Sequence, residues 1–351
     1  MTGKTDMQEI RVAIATFPIG MLSCVFAMQE SLMVANYCAY RFGVQDGIFN
    51  IKLIGAAPLG TQSYSGMRVE QVQPLPAPDQ VDLVLVPSGP PPFIDQASLQ
   101  AWLGANQELR DWVRQAHACG AQIASTCTGS LLLADAGLLD GVPATTHWAI
   151  EQVAQQQFPA VHWRVDESMV EHSNVITAGG GNIYPILLQQ LIRQHLGSDV
   201  AMEASRMLLL DTQTERQAVY RQGALDVKYE NPRMEILKQF VAQHFRKALS
   251  LADLAGAVSL TERTLIRTCQ RELGMTPMQF VQRVRIESVM HALQLTPAPV
   301  NQIVWDTGYE DISSFQRLFK RHTGLTMSEY RRRFGVKVYT HDEPDNMAFE
   351  A

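Results

Sequence analysis

The sequence predicts two domains of different class: an α/β domain built on a mostly parallel sheet, then an all-α domain of two helix-turn-helix units. Three observations carry this prediction. From Arg11 to about Leu210 short β-rich runs alternate with helical ones, which implies a mostly parallel sheet with helices on both faces. Beyond Pro232 the strand signal vanishes, and every segment up to Phe334 reads as helix or tight turn. Within that second stretch the sequence repeats itself at an offset of 50 residues, the mark of two copies of one supersecondary unit.

In chain order the strand runs are "RVAIATF", "GIFNIKLIG", "VDLVLVPSG", "AQIAST" and "NVITAGGG". Between them lie helical stretches at about 22–42, 106–119, 130–136, 147–157 and 183–195. Open sheets of this kind bind ligands at the carboxyl ends of their strands. Residues 211–232, "DTQTERQAVYRQGALDVKYENP", are polar and lack a sustained apolar period, so they read as a linker. The expected domains are therefore 10–210 and 233–334, joined by 211–232.

In the repeat, "LSLADLAGAVSLTERTLIRTCQRELGMTP" (249–277) aligns with "APVNQIVWDTGYEDISSFQRLFKRHTGLTM" (298–327). Leu254 matches Val304, Leu265 matches Phe315, Arg267 matches Arg317, Arg271 matches Arg321, and "GMT" matches "GLT". Each copy reads as helix, short turn, helix, Gly, a pattern whose second helix can enter a major groove. Joining the copies, "TPMQFVQRVRIESVMHALQL" carries Phe280, Val281, Val284, Val289 and Leu293, enough for one amphipathic connecting helix. Periodicity makes Leu254, Leu265, Val304, Phe315, Leu318 and Phe319 core, and Gly308 and Gly324 turn residues.

Composition bounds the function. With 351 residues, 46% of them hydrophobic, the chain can bury substantial cores. The first 20 residues lack a basic segment followed by an apolar one, and no apolar run approaches the ~18 residues of a membrane span. A cytoplasmic protein with no membrane partner is expected. The five cysteines form no C-x-x-C pair and no metal-ligand cluster; reduced, independent thiols follow, with no metal and no cofactor. Cys24, Cys38, Cys119 and Cys269 read as core packing. The net charge of −6 hides an asymmetry: residues 1–230 hold 13 Lys/Arg against 22 Asp/Glu, whereas 231–335 hold 15 against 9. A basic module in an acidic chain points to a polyanionic partner.

Cys127 lies in "AQIASTCTGSLLLADAGLLDG" (121–141), where a buried strand run meets an apolar helix run. Thr128 and Gly129 must turn the chain, which puts Cys127 beside a helix N-terminus, where the dipole can lower a thiol pKa. That is a setting for a nucleophile. An inert buried thiol at a tight turn is the alternative.

The order of residues across 233–334 resembles the AraC/XylS family of transcription regulators, most tellingly in "IVWDTGYEDISSFQRLFKRHTGLTMSEYRR". Met327 stands where that family usually has proline after the G-x-[ST] turn. The resemblance implies a recognition helix at about Thr261 to Glu272, exposing Glu262, Arg263, Ile266 and Arg267 to bases. A second, at about Asp311 to Arg321, would expose Ile312, Ser313, Gln316 and Arg317. Arg suits guanine and Gln adenine, each good pair discriminating by roughly 1–3 kcal/mol. Thr264, Ser314, Lys320 and Arg321 are expected to contact phosphates. A solvated helix face is the alternative for any one of these positions.

Residues 10–195 resemble the class I glutamine-amidotransferase-like superfamily that includes the PfpI-type proteases, which implies a flavodoxin-like sheet. The matching features are "VDLVLVPSG", "STCTGS", "AGLLDGVPATTHW" and "VITAGGGNIYPILLQQLI". The domain order, and the linker words "RQAVY" (216–220), resemble the GlxA subgroup of regulators. Two readings of Cys127 compete. As an enzyme, a cysteine-dependent hydrolase or amidotransferase-like activity, Cys127 is the nucleophile, His147 its base, and backbone N–H groups near Thr128 and Gly89 form an oxyanion hole. As a sensor, a pocket of Ser88, Cys127, Thr128, His147, Trp148 and Tyr184 binds a metabolite without turnover. Sensing is favoured because the first turn, "TFPIGML", lacks the acid that enzymes of the superfamily commonly place there, and Tyr184, Pro185 and Ile186 stand where relatives often carry small residues and an acid. The subgroup resemblance implies a small nitrogen-containing effector, an amino acid or quaternary amine. It also implies activation more often than repression, a double-stranded DNA operator, a homodimer formed through the α/β domain, and contact with RNA polymerase. A dimerisation platform with no ligand is the third reading.

Overall fold

The apolar runs of the first two hundred residues pair as the strands of one sheet. The structure, a computed structural model, describes residues 9–335 except 45–46, 57–60, 92–93, 211, 213–215, 221–222, 226–228, 230 and 310. The chain separates into two units, Met1–Arg221 and Gln222–Ala351.

In the first unit the elements are β1 (Glu9–Ala15), β2 (Ile19–Gly20), α1 (Leu22–Arg41), β3 (Ile48–Ile54), β4 (Gln62–Ser63), β5 (Leu83–Val86), α2 (Gln96–Ala105), α3 (Gln107–Ala118) and β6 (Gln122–Thr126). They continue with α4 (Gly129–Asp135), β7 (Pro143–Ala144), α5 (Glu151–Gln157), β8 (His162–Trp163), β9 (Met169–His172), β10 (Val175–Ala178), α6 (Tyr184–Leu196) and α7 (Ser198–Met207). The main sheet has the order β3-β1-β5-β6-β10-β9, parallel except where β9 pairs antiparallel with β10. Counting the parallel strands alone gives 2-1-3-4-5, the flavodoxin-like order. β5 (LVLV) is buried at every position, as a strand covered on both faces must be. One face packs on α1, α6 and α7 through Met28, Leu32, Leu188 and Val200. The other packs on α3 and α4 through Leu109, Val113, Leu131 and Leu132.

The expected strands and helices all form, and some elements appear that periodicity missed. β9 exposes Glu171 and His172 at the sheet edge, so no apolar run marks it. The two short pairs β2–β4 and β7–β8 join loops rather than layers. Two corrections concern thiols and the linker. Cys119 is exposed rather than core. Within 211–232, Gln217–Tyr220 forms a 3-10 turn whose Gln217, Ala218 and Val219 are buried, so the segment is polar without being unattached.

The second unit comprises α8 (Pro232–His244), α9 (Leu251–Ala257), α10 (Glu262–Leu273), α11 (Pro277–Leu295), α12 (Val300–Trp305), α13 (Ile312–Thr323) and α14 (Met327–Phe334). The 50-residue offset recurs in the caps. Thr261 caps α10 and Asp311 caps α13 through the N–H three residues on; Gly274 and Gly324 both end their helices left-handed, at φ 67° and 79°. Thr276 with Gln279 and Thr326 with Glu329 form matching capping boxes on α11 and α14. Leu254, Leu265, Val304, Phe315 and Phe319 are fully buried, whereas Leu318, expected in the core, is only half-buried. Met327 occupies the first position of α14 and is buried, so the chain enters that helix without the proline.

α11 also buries two charges that apolar periodicity does not announce. Arg285 donates to the carbonyls of Phe245 (2.7 Å) and Lys247 (2.6 Å), and its guanidinium lies 5.2 Å from the centre of the Tyr309 ring. It thereby fastens the end of the α8 turn and the turn before α13 to one helix. Glu287 pairs with Arg283 at 3.0 Å and accepts the N–H groups of Gly223 (3.1 Å) and Ala224 (2.7 Å).

Candidate functional site

β6 ends at Thr126, and the next residue, Cys127, adopts φ 55°, a left-handed conformation that a residue with a Cβ rarely takes. Two hydrogen bonds hold it at the mouth of the next helix. Its N–H donates to Ala178 O at 2.7 Å, its carbonyl accepts from Thr146 Oγ1 at 2.8 Å, and the chain turns straight into α4 at Gly129. A Cβ at Gly129 would stand 2.4 Å from Val86 O and 2.3 Å from Pro87 O, so only glycine lets the elbow press against the end of β5.

The thiol is 2% exposed. Burial pushes its pKa up, although Ser88 and the N–H groups of Thr128 and Gly181 face the sulfur and act the other way. The expected activation by the helix dipole is therefore outweighed by desolvation. Thr128 also departs from expectation. Its hydroxyl donates to Pro90 O (2.7 Å) and accepts the Gly89 N–H (3.1 Å), so it ties the elbow to the 88–90 turn, and the Gly89 N–H is already taken.

His147 begins a 3-10 turn, where Nδ1 accepts from Ala149 N at 3.1 Å. Burial lowers its pKa to about 4, which leaves the ring neutral near pH 7. No hydrogen bond joins it to Cys127 among the described residues. It meets the site instead at Gly180, where a Cβ would lie 4.0 Å from its Cδ2, with Trp148 tilted against it at 5.3 Å between ring centres. Tyr184, half-buried at the start of α6, senses both Cys24 and Glu30, and burial raises its pKa. Ser88, Cys127 and Thr128 thus converge directly, whereas His147 reaches the site at Gly180, Trp148 packs on His147, and Tyr184 lies on the side of Cys24.

Two residues of this site were not legible in the sequence. Cys24, at the start of α1, places its sulfur 3.5 Å from Gly181 O and 3.6 Å from Thr126 Oγ1; burial pushes its pKa to about 11. The place beside Cys127 that follows the first strand is therefore held by a neutral thiol. The other is Gln217, whose buried amide donates to Thr146 O at 2.8 Å. Folding ties the protonation of His147 to stability: its folded pKa of about 4 lies below the unfolded value of about 6.5. That contribution is complete above about pH 6.5 and is lost as pH falls from there towards 4. The wild type is expected to lose more Tm than His147→Asn between pH 7 and 4.5, since Asn keeps an acceptor for Ala149 N but does not titrate. Parallel Tm curves for the two proteins would contradict it.

In the helical unit, α10 exposes Glu262, Arg263, Ile266 and Arg267 on one side, and α13 exposes Ser313, Gln316, Arg317, Lys320 and Arg321. Ile312 and Ser314 are half-buried, and Thr264 is partly withdrawn by its 2.9 Å bond to Thr261 Oγ1. Beside α13 runs a groove of about 470 Å³ lined by Ser313, Gln316, Arg317 and Lys320 on one wall and Thr326, Met327 and Ser328 on another. No helix among the described residues is long and apolar enough to cross a membrane, and no group of three or more His, Cys, Asp and Glu side chains could hold a metal ion.

Residues 254–333 match the helix-turn-helix domain family, and residues 39–194 match the DJ-1/PfpI family. In these matches a DJ-1/PfpI-type region precedes a helix-turn-helix region, and the order resembles that of GlxA-type fused regulators of transcription. Among relatives, the chain is 27% identical over 231 residues to HTH-type transcriptional regulator CdhR of Pseudomonas aeruginosa, covering 66% of this chain and 68% of that protein. It is 22% identical over 214 residues to GbdR of the same species, covering 61% and 58%. HTH-type transcriptional activator RhaS of Escherichia coli is 26% identical over 185 residues, covering 52% and 61%; GbdR and RhaS are thus each matched over less than two thirds of their length. Among solved structures, an AraC family transcriptional regulator from Pseudomonas putida superposes with a TM-score of 0.43 at 17% identity, covering 57% of this chain and 99% of that one.

Proposed function

We propose that this protein reads a specific DNA sequence through α10 and α13 and that its α/β domain binds a small nitrogen-containing metabolite without turning it over. The observation that supports DNA reading best is the repeat itself: two capped helices, 50 residues apart, each expose an arginine at the same position, Arg267 and Arg317. Their companions Glu262, Arg263, Ile266, Ile312, Ser313 and Gln316 are read as base contacts, and Thr264, Ser314, Lys320 and Arg321 as the phosphate contacts that position the module. Two units on one helix suit successive major grooves, about 34 Å apart. The protein acts in the cytoplasm as a homodimer on double-stranded DNA, and activates transcription together with RNA polymerase.

Sensing without catalysis is supported by the chemistry around Cys127. The thiol is raised rather than activated, Cys24 stands where an acid would assist it, the Gly89 N–H is engaged, and His147 is neutral with Nδ1 occupied. The left-handed φ of Cys127 favours the enzymatic alternative, since backbone strain collects at reactive elbows. A thermal-shift panel of amino acids and quaternary amines on the wild type and Cys127→Ser separates the readings. Ligand should stabilise both proteins by several degrees with no product formed, when added well above its Kd. Product formed by the wild type and lost in Cys127→Ser would establish the enzyme. No shift with any candidate would leave only a platform for dimerisation.

A further inference from the structure

The words "RQAVY" (216–220), which apolar periodicity leaves in the linker, are part of the α/β unit. Arg216 forms an antiparallel bridge with Glu167, the Gln217 N–H donates to Asp166 O at 2.9 Å, and Ala218 and Val219 are buried. Gln217 itself is 2% exposed. Its Nε2 faces four oxygens: Thr145 Oγ1 (3.2 Å), Thr146 O (2.8 Å), Val165 O (3.0 Å) and Glu167 O (3.1 Å). The Thr145 hydroxyl gives its own hydrogen to Glu167 O at 2.9 Å, so all four are acceptors towards Gln217. An amide nitrogen carries two hydrogens and a carboxylate none. The socket therefore selects a donor, and a side chain of the same shape without one would face buried oxygens with nothing to give them.

This socket adjoins the Cys127 elbow. The left-handed backbone of Cys127 is held by the bond from its N–H to Ala178 O and by the bond from Thr146 Oγ1 to its carbonyl, and Gln217 bears on both partners. It donates to the carbonyl of Thr146. It also packs on Gly179, the neighbour of Ala178, so closely that a Cβ at Gly179 would collide with the amide. Gly179 opens a run of three glycines that forms one wall of the pocket. A Cβ on Gly180 would touch His147, one on Gly181 would touch Met21 and Ser88, and Gly181 O accepts from the Cys24 thiol. A strained backbone persists only where its surroundings over-determine it. Here the surroundings that hold Cys127 converge on one side chain from much later in the sequence.

We infer that Gln217 is the positioning residue of the Cys127 elbow: its seated amide fixes Thr146 and the 179–181 run, and through them the left-handed backbone of Cys127 and the closed wall around the thiol. All of these contacts lie within the α/β unit. The role rests on the sensing function proposed above for its purpose and on the hydrogen bonds alone for its geometry, since whatever enters the pocket meets a wall set by Gln217. A glutamine that only stabilised the unit would protect every buried thiol of that unit equally. A positioning residue protects Cys127 in particular.

The chain's own cysteines test this without any ligand. Iodoacetamide labelling of the folded full-length protein is followed at each cysteine by mass spectrometry. Exposed Cys119 gives the unhindered rate, while buried Cys38 and Cys269 report opening of the α/β and helical units. Gln217→Met, which keeps the bulk and removes the donor, should raise Cys127 labelling at least about tenfold by local opening, with Cys38 and Cys269 within about twofold of wild type. Gln217→Glu, of nearly the same shape with no hydrogen to donate, should raise it at least as far. Cys127 labelling that is unchanged in either folded variant, or that rises only in step with Cys38, overturns the positioning role. If both variants fail to fold, Gly179→Ala, which displaces the amide from its other side, decides by the same measure. Because no ligand is added, a pocket that binds none of the thermal-shift candidates leaves a positive result standing, and a negative result here leaves sensing standing.

Discussion

Arg317→Ala is expected to weaken binding to the selected duplex roughly 5- to 150-fold while barely changing binding to random DNA, and Arg267→Ala should do the same. The magnitude follows from the ~1–3 kcal/mol that a bidentate arginine–guanine contact contributes over the wrong base. Both side chains are exposed on helices with intact caps and turn outward from the fully buried Leu265 and Phe315, so truncating either leaves the fold unaltered. Lys320→Ala offers the contrast. A phosphate contact should be lost about equally on every sequence, and the slope of log K against log salt should fall by about 1. Filter binding on both DNAs at several salt concentrations measures all three variants. Equal losses on selected and random DNA for the two arginines would remove their base-reading role.

Phe315→Ala should cost the helical unit about 3–5 kcal/mol, the usual price of emptying an aromatic site in a packed core. Phe315 is wholly buried, with Tyr309 edge-on at 4.8 Å and Phe319 at 6.4 Å between ring centres. Its repeat counterpart Leu265→Ala should cost about 2–5 kcal/mol by the same argument. Phe315 lies within the helical unit, so urea unfolding followed by a probe in that unit should show the loss in its transition. A loss below about 1 kcal/mol would mean that the second helix-turn-helix core collapses around the gap and is not packed as described.

How much of this was readable in advance depended on whether a residue's environment is set by near or distant neighbours. The strands came from continuous apolar runs such as "LVLV", whose burial on two faces is a local property of composition. The helix-turn-helix units came from spacing, since Leu254, Leu265, Arg267 and Arg271 recur 50 residues on as Val304, Phe315, Arg317 and Arg321, and the caps that the structure adds at the same offset close within four residues of sequence. Gly129 could be read as a turn residue, but its actual constraint, the carbonyls of Val86 and Pro87, comes from another strand. Leu318 was misplaced for the same reason: helical period says which side it is on, and only the packed neighbours say how far in.

Sequence alone determined the two-domain order, the fold class of each domain, the duplicated helix-turn-helix unit and the elbow at Cys127. All of these follow from short-range periodicity, caps and repeats. Tertiary structure alone decided the character of the elbow. Burial raises the Cys127 thiol against the dipole that was expected to lower it, Cys24 arrives from a helix 103 residues earlier, and Thr128 consumes the Gly89 N–H. It also buried Gln217, Ala218 and Val219 within a stretch that reads as a polar linker. Desolvation and hydrogen-bond partnership depend on which atoms close around a group from every side, and no window of sequence contains them.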